Sequence, residues 1–153
     1  MHVPMARELK TELAKPGLRE QVSAQAAEIH IKYGPQIGWD QLRQLLEDRN
    51  LVRYPCEIRF DAEPLLPGEF AHPFPRGNNP DEGYIIYVHP YYSTHLPCVP
   101  LLVLHQLALI NYGDSATLDD AETFGSLALG LSKEEYYQAL CELCAQISGD
   151  ELI

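Results

Sequence analysis

The stretch LLVLHQLALINYGDSATLDDAETFGSLALGL, residues 101–131, decides the fold. Leu101, Leu104, His105, Ala108 and Tyr112 follow one helical stripe, and Leu102 and Leu109 follow an adjoining one. That spacing predicts a helix apolar enough to be buried on most sides. Pro100 suits the first turn, where a missing N–H costs little, and Gly113 is a natural stop. Thr117 followed three residues later by Asp120 has the form of a capping box, with Asp in the usual Glu place. It predicts a second helix to about Leu129, closed by Gly130 in the left-handed conformation. Ser132 and Glu135 form another capping box, opening a last helix that carries Tyr136, Leu140, Leu143, Cys144 and Ile147.

Upstream, the apolar pattern changes period more than once. Residues 5–14 suit a short amphipathic helix stopped by Pro16 and Gly17, and Leu18, Val22, Ala26, Ile29 and Tyr33 recur at helical spacing. Gly34 and Pro35 end that helix, and Trp39, Leu42, Leu45 and Leu46 predict another to about Arg49. Residues 56–62 then alternate, Ile58 and Phe60 against Glu57, Arg59 and Asp61, as a half-exposed strand does. A short return strand is expected at residues 69–72, limited by Pro73 and Pro75, followed by a polar loop over residues 76–83. Residues 84–89, YIIYVH, are apolar on both faces up to His89, which predicts a covered strand rather than an edge. The expected architecture is α+β, a small antiparallel or mixed sheet packed by several helices, forming one domain over residues 1–153.

Composition narrows the partners. The chain is 46% apolar and 22% charged, ordinary globular usage, with a formal net charge of -11. Such a surface repels phosphate backbones, and the arginines between residues 49 and 59 are interrupted by acidic residues, so no nucleic-acid partner is expected. The opening MHVPMARELK lacks a signal-peptide core, and the apolar runs read as too short for a membrane span. Cys56, Cys98, Cys141 and Cys144 are then expected to be reduced thiols in a cytoplasmic protein.

His105 raises the question of a metal. In an H-E-x-x-H helix two histidines four residues apart share one face and one zinc, and the glutamate beside the first takes the proton of the metal-bound water. Here His105 holds the first place, Gln106 the glutamate's and Leu109 the second histidine's. An amide accepts no proton at neutral pH, and leucine offers no lone pair. The surroundings nonetheless resemble the minimal zincin peptidases of the ImmA/IrrE type. Those have a strand ending near "iyvNp", then the metal helix, then a helix of the form E-x-E-A-x-x-F-A-x-x-L-L. The corresponding runs are Tyr84-Ile85-Ile86-Tyr87-Val88-His89-Pro90, the His105 helix, and Asp119-Asp120-Ala121-Glu122-Thr123-Phe124-Gly125-Ser126-Leu127-Ala128-Leu129. The resemblance covers roughly the second half of the chain and implies a minimal zincin-like fold. It sets Asp119 or Glu122 nearest the third-ligand carboxylate, and Ala121 and Phe124 nearest the packing residues.

Five residues are candidates for a cleft: His105, Gln106, Glu122, His89 and His72. The bland interpretation of each histidine is a hydrogen-bonded core or rim residue. The sharper one is a rebuilt zinc site, His105 and Glu122 joined by His89 or His72. Cys141 and Cys144 lie within one helix without a second pair and read as core, and the Tyr91-Tyr92 and Tyr136-Tyr137 pairs read as packing with a hydroxyl at the rim. The expected function is recognition without catalysis: a zincin-like domain with no catalytic residue and no cofactor, binding a protein or peptide as a regulatory module. The alternative is a metal-dependent hydrolase that holds zinc at His105 and Glu122.

Overall fold

A computed structural model describes residues 17–151 of the chain; the helix expected at residues 5–14 lies outside them. The described chain runs α1 (Leu18–Tyr33), α2 (Trp39–Leu46), β1 (Cys56–Phe60), β2 (Ala71–Pro75), β3 (Tyr84–Val88), α3 (Val99–Tyr112), α4 (Leu118–Leu129) and α5 (Lys133–Glu151). It is an α+β fold around a small mixed sheet. The strand order is β1-β3-β2, with β1 parallel to β3 and β2 antiparallel to it. The most apolar strand of the sequence is therefore the central one. Its register sets Ile86 beside Ile58 and Pro73, and Val88 beside Phe60 and Ala71, on one face. Ile86, Val88 and Ala71 are fully buried, and α3 packs against β2 and β3.

The return strand lies further along than expected. It spans Ala71–Pro75 and includes both prolines that were to limit it. Being two residues apart, Pro73 and Pro75 lose their donors on the same edge, and β2 is an outer strand of the sheet. That edge needs no donor, so the prolines are accommodated and discourage further pairing.

The capping signals of the C-terminal half form as written. Thr117 N–H donates to Asp120 Oδ2 at 3.0 Å, and Asp120 N–H donates to Thr117 Oγ1 at 3.0 Å. Ser132 N–H donates to Glu135 Oε1 at 2.8 Å, and Glu135 N–H to Ser132 Oγ at 3.0 Å. Gly130 ends α4 in the left-handed conformation, φ 72°. His30 Nδ1 donates to the Ala128 carbonyl at 3.1 Å, tying α1 to α4 along the buried stripe of Val22, Ala26 and Ile29.

Helix α3 sits in the middle. It packs on α2, α4, α5 and two strands, and every residue from Leu102 to Ala108 is buried. Contrary to the expectation from run lengths, Leu96–Ser115 is apolar and long enough, by length and composition only, to cross a membrane. Most of it is buried inside the fold, as a core helix is.

Candidate functional site

The centre of α3 brings His105 into the core with its side chain entirely excluded from solvent. Aromatic rings enclose it. Phe70, just before β2, meets the imidazole edge-on with ring centroids 6.2 Å apart. Tyr136, on the first turns of α5, stacks over it at 6.3 Å with the planes inclined by 26°. The Tyr136 hydroxyl donates to the Leu101 carbonyl at 2.6 Å, which anchors α5 one turn upstream of His105. Burial, with the Glu122 charge as a lesser cause, pushes the Tyr136 hydroxyl well above its ordinary pKa, so it stays protonated and keeps donating.

Gly125 on α4 makes room for that ring. A Cβ there would lie 2.2 Å from the Tyr136 ring, far inside van der Waals contact. The lack of one Cβ has a large steric consequence here. It lets Tyr136 reach the histidine.

Among the described residues, neither ring nitrogen of His105 has a hydrogen-bond partner. The expectation of a hydrogen-bonded core histidine is thus corrected. Desolvation instead depresses its pKa from 6.5 to about 4, so the imidazole is neutral at physiological pH. Two unsatisfied nitrogens in an apolar enclosure are destabilising, and such groups call for a reason.

The other candidates go elsewhere. Gln106 is fully buried beside His105 on α3. Glu122 is half-buried on α4, and burial raises its pKa, an effect that Lys133 opposes. Its charge reaches Tyr136, the ring stacked on His105. Asp119, the other carboxylate near the third-ligand position, is exposed and pairs with Lys133 and, at 3.9 Å, with Arg19. His72 leaves the sheet on the opposite side from Ala71 and Pro73. Its Nδ1 lies 3.4 Å from Oε2 of the buried Glu69, and its ring meets Phe74 edge-on at 5.1 Å. His89 caps the turn after β3, where its Nδ1 accepts from Tyr91 N–H at 3.1 Å.

No three His, Cys, Asp or Glu side chains among the described residues come together as a group that could hold a metal ion. His105 has a glutamine and a leucine at the other motif positions and an aromatic ring over its face. These residues do not fit a zinc centre, and no step of chemistry is routed through one. The cysteines are free thiols, and burial raises Cys144 to about 12 and Cys56 to about 11, which holds both protonated and unreactive. Comparison with protein families, with curated proteins and with solved structures finds no match to this chain.

Sequence reasoning missed Phe70, Gly125 and Tyr136 as members of the site. Gly125, a glycine inside a helix, was the available signal. Two measurements check the arrangement. Gly125→Ala should destabilise by about 1–3 kcal/mol through overpacking, although alanine is about 1 kcal/mol the better helix former. In a Tyr136→Ala background the same change should become neutral or stabilising in chemical denaturation.

The second concerns protonation. The folded pKa of His105 lies below its unfolded value, so the unfolded chain binds the proton first. The resulting stability is complete above about pH 6.5 and is lost as pH falls from there towards 4. Between pH 7 and 5 the wild type should lose about 2 kcal/mol more than His105→Leu, in which the site cannot titrate. His105→Leu should also match or exceed wild-type stability at pH 7, because it removes two unsatisfied nitrogens. Equal losses of unfolding free energy between pH 7 and pH 5 in wild type and His105→Leu, measured by urea titration, would contradict this.

Proposed function

We propose that the chain is a zincin-like domain that has given up hydrolysis and acts by recognition, holding an extended segment of a protein or peptide partner as a regulatory module. The observation that carries this reading is Tyr136 stacked on a fully buried His105. A hydrolytic water needs a polarising ion or a base and a path to the substrate. The histidine that the motif retains is covered, neutral and flanked by an amide. The order of elements supports the zincin likeness: an apolar strand, a helix bearing His105, then a helix bearing Glu122.

Recognition has a surface to work with. β1 is an outer strand of the sheet, and beside it, towards α2, lies a groove of about 170 Å³ lined by Trp39, Arg43, Leu46, Glu47, Cys56 and Ile58. An outer strand next to a partly apolar groove suits β-strand addition. The partner backbone pairs with the edge, and alternate side chains enter the groove. The arginine and the glutamate leave it without a strong preference for the sign of the partner's charge.

Trp39 is the chain's single tryptophan, so its fluorescence reports on this groove directly. Titration with extended peptides bearing a bulky apolar residue should change Trp39 emission saturably. Clean protein should leave a casein substrate intact whether or not zinc is added. Chelator-sensitive cleavage that disappears in His105→Ala would defeat the proposal.

A further inference from the structure

A second cavity lies away from His105 and away from the groove beside β1. It holds about 400 Å³, within the usual size of small-molecule sites, between α1, the turn after α2 and the end of α3. Two of its lining residues are charged, Arg49 and Arg53, and no carboxylate lines it. That is unusual for a chain of net charge -11. Other basic side chains are neutralised: Lys32 by Asp48, Arg59 and Arg76 by Glu57, Lys133 by Asp119. Arg49 and Arg53 have no carboxylate partner among the described residues.

The surrounding bonds hold these arginines without using up their donors. Arg49 Nη1 donates to the carbonyls of Leu46 at 3.1 Å, Val52 at 3.0 Å and Tyr54 at 3.4 Å. Its Nη2 and Nε make no hydrogen bond among the described residues. The Arg53 guanidinium lies 5.4 Å from the Tyr54 ring centroid, and its Nη1 reaches the Asn111 carbonyl only at 3.5 Å. Asn111 fixes the floor: its Oδ1 accepts from Arg53 N–H at 2.9 Å, and its Nδ2 donates to the Leu51 carbonyl at 2.8 Å. On the α1 side, the Tyr112 hydroxyl donates to Gln25 Oε1. The cavity thus has a rigid polar wall, two guanidinium groups with donors to spare, and further amides from Gln21 and Asn50.

We propose that this cavity binds a small organic oxyanion, a phosphate monoester or carboxylate that also carries hydroxyl or amide groups. Guanidinium forks match the paired oxygens of such groups. A bare inorganic ion would leave much of the space unfilled, and the amides and the Tyr112 ring provide for the rest of the molecule. The proposal stands independently of peptide recognition beside β1, since it uses different residues.

The test follows the thermal midpoint of the full chain against glycerol 3-phosphate, succinate and inorganic phosphate, each compared with sodium chloride at matched ionic strength. A ligand that binds only the folded state raises the midpoint with its concentration. Glycerol 3-phosphate or succinate should do so beyond the chloride control, and whichever is stronger assigns the phosphate or the carboxylate class. Arg53→Gln and Gln21→Glu should each weaken the apparent affinity by about tenfold or more. Gln21 is exposed and its side chain makes no hydrogen bond among the described residues, so Gln21→Glu adds a competing carboxylate to an intact fold. The proposal is overturned if no organic anion exceeds chloride, if inorganic phosphate does as well as both, or if the response persists in both variants.

Discussion

Helix α3 leaves no side open to solvent between Leu102 and Ala108, and the rest of the structure follows from that enclosure. The sheet covers one side, and α2, α4 and α5 cover the others. Burying so many leucines and valines is the largest favourable contribution available to a chain of this size. It also means that any polar side chain on this helix is carried into the core. Asn111 meets the constraint near the helix end by bonding to Leu51 and Arg53. His105 meets it by remaining neutral between Phe70 and Tyr136, its nitrogens without a partner among the described residues.

The imidazole of His105 is held by ring contacts, to Phe70 and Tyr136, with no hydrogen bond to its nitrogens among the described residues. Both ring neighbours are carbon faces or edges, so the packing around His105 is apolar. The enclosure depends on two residues together: Gly125 carries no Cβ, and the Tyr136 ring occupies the space one would fill. The Tyr136 hydroxyl then bonds back to α3 and locks the arrangement.

Local signals in the sequence were legible because they are short-range. The two capping boxes, Gly130 and the central β3 strand each depend on neighbours within a few residues or on a simple period. The prolines of β2 misled because they break an inner strand yet suit an outer one, and strand order is not written locally. Tyr136 over His105 was not legible either. Thirty-one residues separate them, and a tyrosine pair on a helix ordinarily means rim packing. The Arg49 and Arg53 cavity escaped for a related reason, because Asp48 and Glu57 flank this pair in sequence while the fold turns those carboxylates to Lys32, Arg59 and Arg76.

The most direct test of this account is the protonation of His105 observed at its own ring. Nitrogen-15 NMR of the labelled imidazole, assigned by comparison with His105→Leu, follows the ring through pH and through additions of zinc and chelator. The account predicts a neutral ring down to about pH 5, with resonances that respond to neither zinc nor chelator. A ring that titrates near pH 6.5, or one whose nitrogens shift on addition of stoichiometric zinc, would contradict it.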